Sequence, residues 1–315
     1  MGKLKTALEA RDYLILDGAL GTELESRGYD VTGKLWSAKY LLKNPQVIKD
    51  LHDTYLKAGA DILTTSSYQA TVPGLVEVGL SEQEALATIA STVELARESR
   101  ENFWRGLSKE EQENRLYPLI SGDVGPYAAY LADGSEYTGD YHLTVEEYKN
   151  FHRPRIQQLV EAGSDFLGIE TIPNMGETKA LLDLLATEFP DVESYISFVA
   201  TDDSHLADGT PIEEVGSLCQ ACPQVVAVGI NCSAPELFPS LLEKLATTTN
   251  KPLIAYPNSG EVYDGVTQTW HQAPDHSRTL AENAKIWQNL GAKILGGCCR
   301  TRPRDIAYLA KELKK

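Results

Sequence analysis

The chain has 315 residues, of which 42% are apolar, so it can bury a packed core and is not globally disordered. Its 29 Lys and Arg against 45 Asp and Glu give a net charge of −16, which argues against nucleic acid or an anionic membrane as a partner. No run approaches the ~20 apolar residues of a membrane span, and no secretory signal opens the chain. Five cysteines make no disulfide framework, so we expect a reducing, cytoplasmic compartment.

A repeated junction organises the chain: an amphipathic run reaches a glycine and an apolar run follows at once. It occurs at residues 57–63, 161–167 and 289–295. Glycine adopts the left-handed conformation that ends helices, and nearly continuous hydrophobicity is typical of buried parallel strands. In chain order the pattern predicts strands at 13–17, 61–66, 117–123, 165–171, 194–200, 225–232, 252–257 and 293–298.

Eight helices follow those strands. They are predicted at 47–58, 82–104, 145–162 (opened by a capping box from Thr144 to Glu147), 175–187, 212–221, 236–247, 280–290 and 304–314. Strict alternation of this kind predicts an α/β fold, a single (β/α)8 TIM barrel over residues 1–315. The alternative, a doubly wound sheet, usually has a Gly-x-Gly-x-x-Gly loop after its first strand, and residues 17–21 do not match it.

Three long connections follow the first, third and seventh strands, at residues 18–44, 124–143 and 258–275. All three therefore lie on the C-terminal face of the barrel, where barrel active sites are built. Aromatic residues are frequent in them, and we expect one or two rings to touch a cationic ligand.

Three cysteines end two strands on this face. Cys232 ends the sixth strand, and Cys298 and Cys299 end the eighth. Three converging thiolates suit Zn²⁺ and leave the fourth tetrahedral position open, as in catalytic zinc sites. Adjacent cysteines can both bind one ion only if the backbone turns sharply, and Gly296 and Gly297 are expected to permit that turn.

The other two cysteines form a Cys-x-x-Cys pattern at Cys219 and Cys222, which on its own is typical of a redox or structural zinc site. The pair precedes the sixth strand, so it lies at the opposite, N-terminal face. A strand of that length spans roughly 20 Å, too far for one metal ion to bind both groups. We therefore interpret Cys219 and Cys222 as small packing residues.

Three segments resemble the signatures of the homocysteine S-methyltransferase family: residues 17–24 (Asp-Gly-Ala-Leu-Gly-Thr-Glu-Leu), 229–232 (Gly-Ile-Asn-Cys) and 297–299 (Gly-Cys-Cys). The resemblance extends from about residue 10 to residue 312. It implies a zinc-containing (β/α)8 barrel that methylates homocysteine to methionine. The implied zinc ligands are Cys232, Cys298 and Cys299, and Asp17 and Glu170 are implied to hold the amino acid.

The places of these two acidic residues along the predicted strands agree with a role in substrate binding. Asp17, followed by Gly18, ends the first strand and Glu170 the fourth, so both carboxylates can meet an ammonium group, although a helix cap or a solvent contact would also explain each. Ser66 follows the second strand and could donate to the substrate carboxylate or cap its own loop. Asn231, beside the ligand Cys232, could orient it.

An anionic site of three thiolates keeps a bound sulfur electron-rich, which suits attack on a positively charged methyl donor. The sequence therefore predicts methyl transfer from S-methylmethionine, or S-adenosylmethionine, to the zinc-bound thiolate of homocysteine. A sulfonium leaves as a neutral thioether, and no Gly-rich adenosine loop is evident. Betaine as donor, and a non-catalytic zinc or thiol-binding barrel, are the alternatives. The expected partners are these small molecules, with the protein a monomer or weak homo-oligomer.

Overall fold

The computed structural model describes residues 2–33, 35–260, 262–264, 269–271 and 278–313. Its main sheet has eight parallel strands: β1 (Leu14–Ile15), β2 (Ile62–Thr64), β3 (Leu119–Val124), β4 (Phe166–Ile172), β5 (Ser194–Phe198), β6 (Val225–Asn231), β7 (Leu253–Tyr256) and β10 (Ala292–Leu295). They neighbour one another in the order β1-β10-β7-β6-β5-β4-β3-β2, and a bridge between Leu16 and Ile62 brings β1 beside β2. The predicted α/β barrel is confirmed. The prediction that residues 1–315 form one domain stays a prediction.

Fourteen α-helices lie in the described part of the chain: α1 (Lys3–Ala10), α2 (Leu20–Ser26), α3 (Lys39–Lys43), α4 (Pro45–Ala58), α5 (Val72–Glu77), α6 (Glu82–Gly106), α7 (Lys109–Glu113), α8 (Tyr127–Leu131), α9 (Val145–Glu161), α10 (Met175–Glu188), α11 (Ile212–Ala221), α12 (Phe238–Thr248), α13 (Leu280–Asn289) and α14 (Pro303–Leu313). The eight predicted helices correspond to α4, α6 and α9–α14; the predicted last residue, 314, lies outside the described residues.

Local signals explain where these helices begin and end. The Thr144 side chain accepts a hydrogen bond from the Glu147 amide at 3.3 Å, and the Glu147 carboxylate accepts one from the Thr144 amide at 2.7 Å, so the predicted capping box is present. Gly59, Gly163 and Gly291 have φ values of 112°, 88° and 100°, as expected for glycines that stop a helix and turn the chain into the next strand.

Helix α1, which the sequence pattern did not predict, covers the N-terminal end of the barrel. Leu4, Ala7 and Leu8 are buried against the apolar side chains inside the barrel, among them Phe166. The Glu193 carboxylate accepts hydrogen bonds from the amides of residues 4 and 5 at 2.9 and 3.2 Å, which satisfies the first turn of the helix. The N-terminal end is thereby closed.

Side chains inside the barrel change from apolar to polar towards the C-terminal end. Alternate residues of a strand face the same side. Leu119 on β3 and Phe166 on β4 belong to the interior cluster. Asp123 and Glu170, four residues further along the same strands, therefore also lie on the inward side. The strand periodicity therefore delivers carboxyl groups to the C-terminal mouth.

The three long connections have structure of their own. The first contains α2 and α3, the second contains α8 and a 3₁₀ turn at Ser135–Tyr137, and the third contains the antiparallel pair β8 (Val262–Asp264) and β9 (Thr269–His271). The third lies partly outside the described residues. Within the part of the chain that the structure covers, no helix is both long and apolar enough to cross a membrane.

Candidate active site

The three strand-end cysteines meet at the C-terminal mouth of the barrel. The sulfur atoms of Cys232, Cys298 and Cys299 all lie within 4.8 Å of one another, although 66 residues separate the first two. The Sγ atoms of Cys232 and Cys299 are 3.7 Å apart, and Cys232 and Cys298 are joined as a disulfide. The strand positions inferred from sequence thus bring the predicted ligands together.

The donor set fits a tetrahedral thiophilic metal once the disulfide is reduced. Two thiolates bound about 2.3 Å from a tetrahedral zinc ion stand about 3.8 Å apart. The 3.7 Å separation of Cys232 and Cys299 matches that value. Burial raises the pKa of the Cys299 thiol to about 12, and a metal cation opposes that effect because it stabilises the thiolate.

The backbone at Cys232 is held in an unusual conformation. Its φ is 47°, in the left-handed region that costs about 1–2 kcal/mol for a residue with a Cβ. The amide of Cys232 donates to the Tyr256 carbonyl at 3.3 Å, and the Asn258 side chain donates to the Cys232 carbonyl at 3.0 Å. These contacts with the end of β7 fix the direction in which the Cys232 side chain leaves β6.

The expectation that Gly296 and Gly297 supply the sharp turn at the cysteine pair is wrong in its detail. Among the described residues with positive φ, the one at this turn is Arg300, at 66°. The two glycines are needed for space instead: a Cβ on Gly297 would lie 2.4 Å from Thr301 Oγ1, and one on Gly296 would lie 2.7 Å from Leu16 Cβ. Close packing, not backbone freedom, explains both.

Asn231 connects the cysteines to the neighbouring strand end. Its Oδ1 accepts a hydrogen bond from the Thr171 amide at 3.0 Å, and its Nδ2 donates to Thr171 Oγ1 at 2.7 Å. The same Nδ2 lies 3.9 Å from the Sγ of Cys298. Asn231 can therefore orient a ligand, as its position suggested.

The connection after β1 also contacts the chain that follows the cysteine pair. The amide of Arg300 donates to Thr22 Oγ1 at 3.0 Å, and its guanidinium pairs with Glu25 at 2.6 Å. Arg302 Nε donates to a Glu23 carboxylate oxygen at 3.1 Å. The first connection, which follows Asp17, is thereby tied to the chain that follows the cysteine pair.

Asp17 is buried at the end of β1, with 2% of its surface exposed. Its two carboxylate oxygens accept hydrogen bonds from the amide and hydroxyl of Thr64 at 2.9 and 2.6 Å. Burial raises the pKa of Asp17 to about 7, and the nearby charge of Glu170 adds to the shift. Gly18 leaves room for a neighbour: a Cβ there would lie 3.0 Å from the Tyr55 ring.

Glu170 is the other predicted substrate residue, and it lies in the same group of carboxyls. Its side chain is hydrogen-bonded with those of Asp123 and Tyr256. Burial raises the pKa of Glu170, and those two hydrogen bonds oppose the rise. The hydroxyl of Tyr256 is also hydrogen-bonded to Ser197, so the polar contacts run across the inside of the barrel from β3 to β7.

Asp123 was missed by the sequence analysis. It is 2% exposed, and burial, followed by the charge of Glu170, raises the pKa of its carboxyl well above the usual value. The signal was present: Asp123 lies near the end of the third strand on the active face, as Asp17 and Glu170 lie at the ends of the first and fourth. Ser66, on the neighbouring strand end, is buried, and its Oγ has no hydrogen-bond partner within the described structure.

A second acidic group, in the connection after β3, is close enough to Cys299 for its charge to act on the thiol. Tyr137 is hydrogen-bonded with Cys299, and the preceding residue, Glu136, has a buried Oε2 that meets no hydrogen-bond partner among the described residues. Burial raises the pKa of Glu136 to about 7. Tyr68 is hydrogen-bonded with Thr171. The sequence marked this connection as aromatic but did not identify Glu136.

Cys219 and Cys222 lie where the sequence placed them, at the end of α11 before β6 begins. They are 0% and 7% exposed within the main apolar cluster. The ammonium group of Lys251 donates to the carbonyls of Cys219, Cys222 and Val225 at 2.6, 2.6 and 2.5 Å. The thiols are packed, and the cation beside them is bound by backbone oxygens.

Comparison with known proteins gives one family. Residues 14–313 match the family model described as homocysteine S-methyltransferase. A homocysteine S-methyltransferase of Escherichia coli (strain K12) is 49% identical over 97% of both chains. The metallated form of the E. coli homocysteine methyltransferase MmuM has a TM-score of 0.86 at 45% identity, covering 98% of this chain and 99% of that one. Its oxidised form has the same TM-score at 44% identity, covering 99% of both chains. The chain belongs to the homocysteine S-methyltransferase family.

Proposed function

We propose that this protein transfers a methyl group from a cationic sulfonium compound to the sulfur of homocysteine and forms methionine. The observation that carries the proposal is the group of three cysteine sulfurs within 4.8 Å at the mouth of the barrel, beside buried carboxyls. S-Methylmethionine is the preferred donor, and S-adenosylmethionine is a weaker one.

Cys232, Cys298 and Cys299 would hold zinc, and three ligands leave one coordination position open. Zinc at such a site supplies a position at which a thiol loses its proton and remains nucleophilic. The chain positions its own sulfurs through the left-handed backbone of Cys232 and the amide of Asn231, which lies 3.9 Å from Cys298. The disulfide between Cys232 and Cys298 has to be reduced first.

Asp17 and Glu170 bind the ammonium group of homocysteine. Both are inside the mouth of the barrel, and a bound cation offsets the cost of ionising a buried carboxyl. Ser66, whose hydroxyl is buried without a partner in the described part of the chain, donates to the substrate carboxylate. Gly18 provides the space beside Asp17. These residues orient the substrate rather than exchange protons with it.

The methyl donor approaches from the side of Glu136, Tyr68 and Tyr137. A carboxylate and two aromatic rings attract a sulfonium cation. In the transfer, the sulfur of homocysteine forms a bond to the methyl carbon as the bond between that carbon and the donor sulfur breaks. The bonding electron pair leaves with the donor sulfur as a neutral thioether. In-line positioning of the three atoms supplies much of the rate.

A donor screen tests the proposal. Protein reduced and loaded with zinc is given saturating homocysteine, and kcat/KM is measured for S-methylmethionine, S-adenosylmethionine and betaine. We expect the order just given. Betaine as the best donor would overturn the donor assignment, and no methionine from any donor would favour the non-catalytic thiol-binding alternative.

Matched variants locate the donor site. Glu136→Gln is expected to raise the KM for S-methylmethionine about tenfold, the effect of one hydrogen bond to a charged group, and to leave the KM for homocysteine unchanged. Asp140→Asn, at an exposed acid of the same connection, is the control and should change neither constant. Equal effects of the two variants would contradict the role of Glu136.

A further inference from the structure

Three carboxyl groups gather inside the C-terminal mouth of the barrel: Asp17, Asp123 and Glu170. Their charges act on one another, and the side chains of Asp123 and Glu170 are hydrogen-bonded together. Burial raises the pKa of both carboxyls, and the charge of Glu170 raises that of Asp123 further.

One carboxylate oxygen of Asp123 is buried without a hydrogen-bond partner among the described residues. That atom is Oδ1, and Asp123 as a whole is 2% exposed. A buried polar atom without a partner has lost its hydration and gained nothing in return, so such an atom in a site indicates a missing ligand.

No cation inside the described structure fills that place. Arg155 is the basic group whose charge acts on Asp123. Its guanidinium donates to the carbonyls of Tyr68 at 2.8 Å and Gly125 at 2.5 Å, which bind the two connections that follow β2 and β3. Arg155 therefore holds the backbone around the mouth, and the free oxygen of Asp123 remains available.

A complementary group lies on the neighbouring strand end. β2 ends at Thr64, and the turn that follows it runs beside Asp123: the Asp123 amide donates to Thr65 Oγ1 at 2.9 Å, and the Asp123 carbonyl accepts from Ser67 Oγ at 2.7 Å. Ser66 lies between these two contacts. The Oγ of Ser66 is also buried, and the described chain offers it no partner. An unpaired acceptor beside an unpaired hydroxyl matches the ammonium and carboxylate of an α-amino acid.

We propose that Asp123 is a substrate-recognition residue whose free Oδ1 accepts a hydrogen bond from the α-ammonium of homocysteine, while its other oxygen shares a proton with Glu170. This inference rests on the proposed function, since it names the acceptor substrate of that site. It makes Asp123 a determinant of selectivity for thiols that carry an α-amino group.

The test compares two thiols on the zinc-loaded, reduced protein. Homocysteine has the ammonium, and 4-mercaptobutanoate is the same chain without it. For each, kcat/KM is measured with S-methylmethionine as donor, and zinc content is measured in every variant. The selectivity ratio between the two thiols is the readout, because a general loss of packing would lower both values together.

The inference predicts an unchanged selectivity ratio for one substitution of Asp123 and a lower ratio for two others. Asp123→Asn keeps an acceptor oxygen and a donor to Glu170, so the ratio should stay within about threefold of the wild type. Asp123→Leu has a similar shape without either group, and Asp123→Ser is shorter; both should lower the ratio about tenfold or more, mainly through the KM for homocysteine. Should Asp123→Leu fail to fold, Asp123→Ser decides.

The control is Ser121→Ala, two residues earlier on the inward side of the same strand, which should keep the ratio. A wild-type ratio in Asp123→Ser, or the same loss in Ser121→Ala, would overturn the inference. Absence of methionine from the wild-type enzyme would instead be a failure of the proposed function. Calorimetric binding of the two thiols to the zinc-loaded variants then still tests Asp123.

Discussion

The two ends of the barrel contain the same kinds of buried residue and treat them in opposite ways. At the N-terminal end Asp165, whose side chain is 1% exposed, pairs with Arg100 at 2.6 Å and accepts a hydrogen bond from the amide of Ile120 at 2.8 Å. At the C-terminal end Asp123 is as deeply buried, and within the described structure one of its oxygens has no partner. The first carboxylate is matched by partners within the fold, and the second is the one to which we assign a substrate contact.

The cysteines repeat the contrast. Cys219 and Cys222 lie in the apolar cluster beside a lysine that is already bound by three carbonyls. Cys232, Cys298 and Cys299 converge, and the first has a strained backbone. Residue type and burial therefore do not distinguish structural from functional groups here. The partners that each group meets distinguish these examples: an ion pair and carbonyl oxygens at the N-terminal end, and converging sulfurs with a carboxylate oxygen that has no partner among the described residues at the C-terminal end.

The largest effect is expected at the cysteine cluster. Replacing Cys232, Cys298 or Cys299 by Ala removes one of three ligands, so turnover should fall by more than the ~10- to 100-fold typical of residues that only orient a ligand. Most of the metal should be lost as well. Zinc content and initial rates measured on reduced protein check this. Full activity in a metal-free variant would remove the basis of the zinc proposal.

The N-terminal end should respond in stability alone. Leu4→Ala removes a fully buried side chain from α1, and such changes lower the free energy of unfolding by about 2–5 kcal/mol. Denaturant unfolding measures the loss. The KM for homocysteine and the zinc content of the folded fraction should not change, and a shift in either would mean that the two ends are coupled.

Glu170→Gln should affect substrate binding and spare the metal. Losing a hydrogen bond to a charged group costs about 1.5–3 kcal/mol, so the KM for homocysteine should rise about tenfold to 150-fold. Zinc content should equal that of the wild type. A variant that binds homocysteine normally but loses metal would place Glu170 with the cysteines instead.

Asp17 should make amino-acid binding pH-dependent. With its pKa raised to about 7, the group is largely neutral at pH 6 and largely ionised at pH 8. An ammonium ligand needs the ionised form, so the inhibition constant of methionine should fall about tenfold across that range. Methionine is the right probe because its thioether does not titrate. Asp17→Asn should flatten the profile, and an unchanged profile would show that another group controls binding.

The same shift has the opposite sign for stability. The folded protein holds a proton on Asp17 up to a pH of about 7, while the unfolded chain releases it near 3.8. The folded state therefore binds more protons in this window, and its free energy of unfolding falls as the pH rises through it. Asp17→Asn should lack that part of the decline.

Much of the fold could be predicted because its signals are local. Continuous apolar runs and amphipathic runs marked all eight barrel strands and their helices, and three glycine stops and one capping box marked some of the boundaries. Helix α1 was missed because its first turn is satisfied by Glu193, almost 190 residues away, and its apolar face becomes meaningful only against the closed end of the barrel.

Some features of the site could likewise be predicted from the sequence, and others could not. The convergence of the cysteines follows from topology, since strand ends on one face must meet, and Asp123 could have been found by that rule. Its hydrogen bond with Glu170 and the unpaired oxygen depend on side-chain positions that spacing does not reveal. The turn at the cysteine pair was assigned to glycines, although the described residue with positive φ at that turn is Arg300.

The smallest effect is expected for the double change of Cys219 and Cys222 to Ala. Both thiols are buried at the N-terminal end, so their loss should leave small cavities and lower the free energy of unfolding by about 1–2 kcal/mol. Zinc content and kcat/KM should equal those of the wild type, because the pair lies at the opposite end of the barrel from the cysteine cluster. The Lys251 contacts should also persist, since they use backbone carbonyls that the substitution retains. Metal analysis, turnover and thermal unfolding on one preparation check all three quantities. Loss of stoichiometric zinc from this variant would mean that cysteines at the closed end of the barrel contribute to metal binding, and the contrast between the two ends would fail.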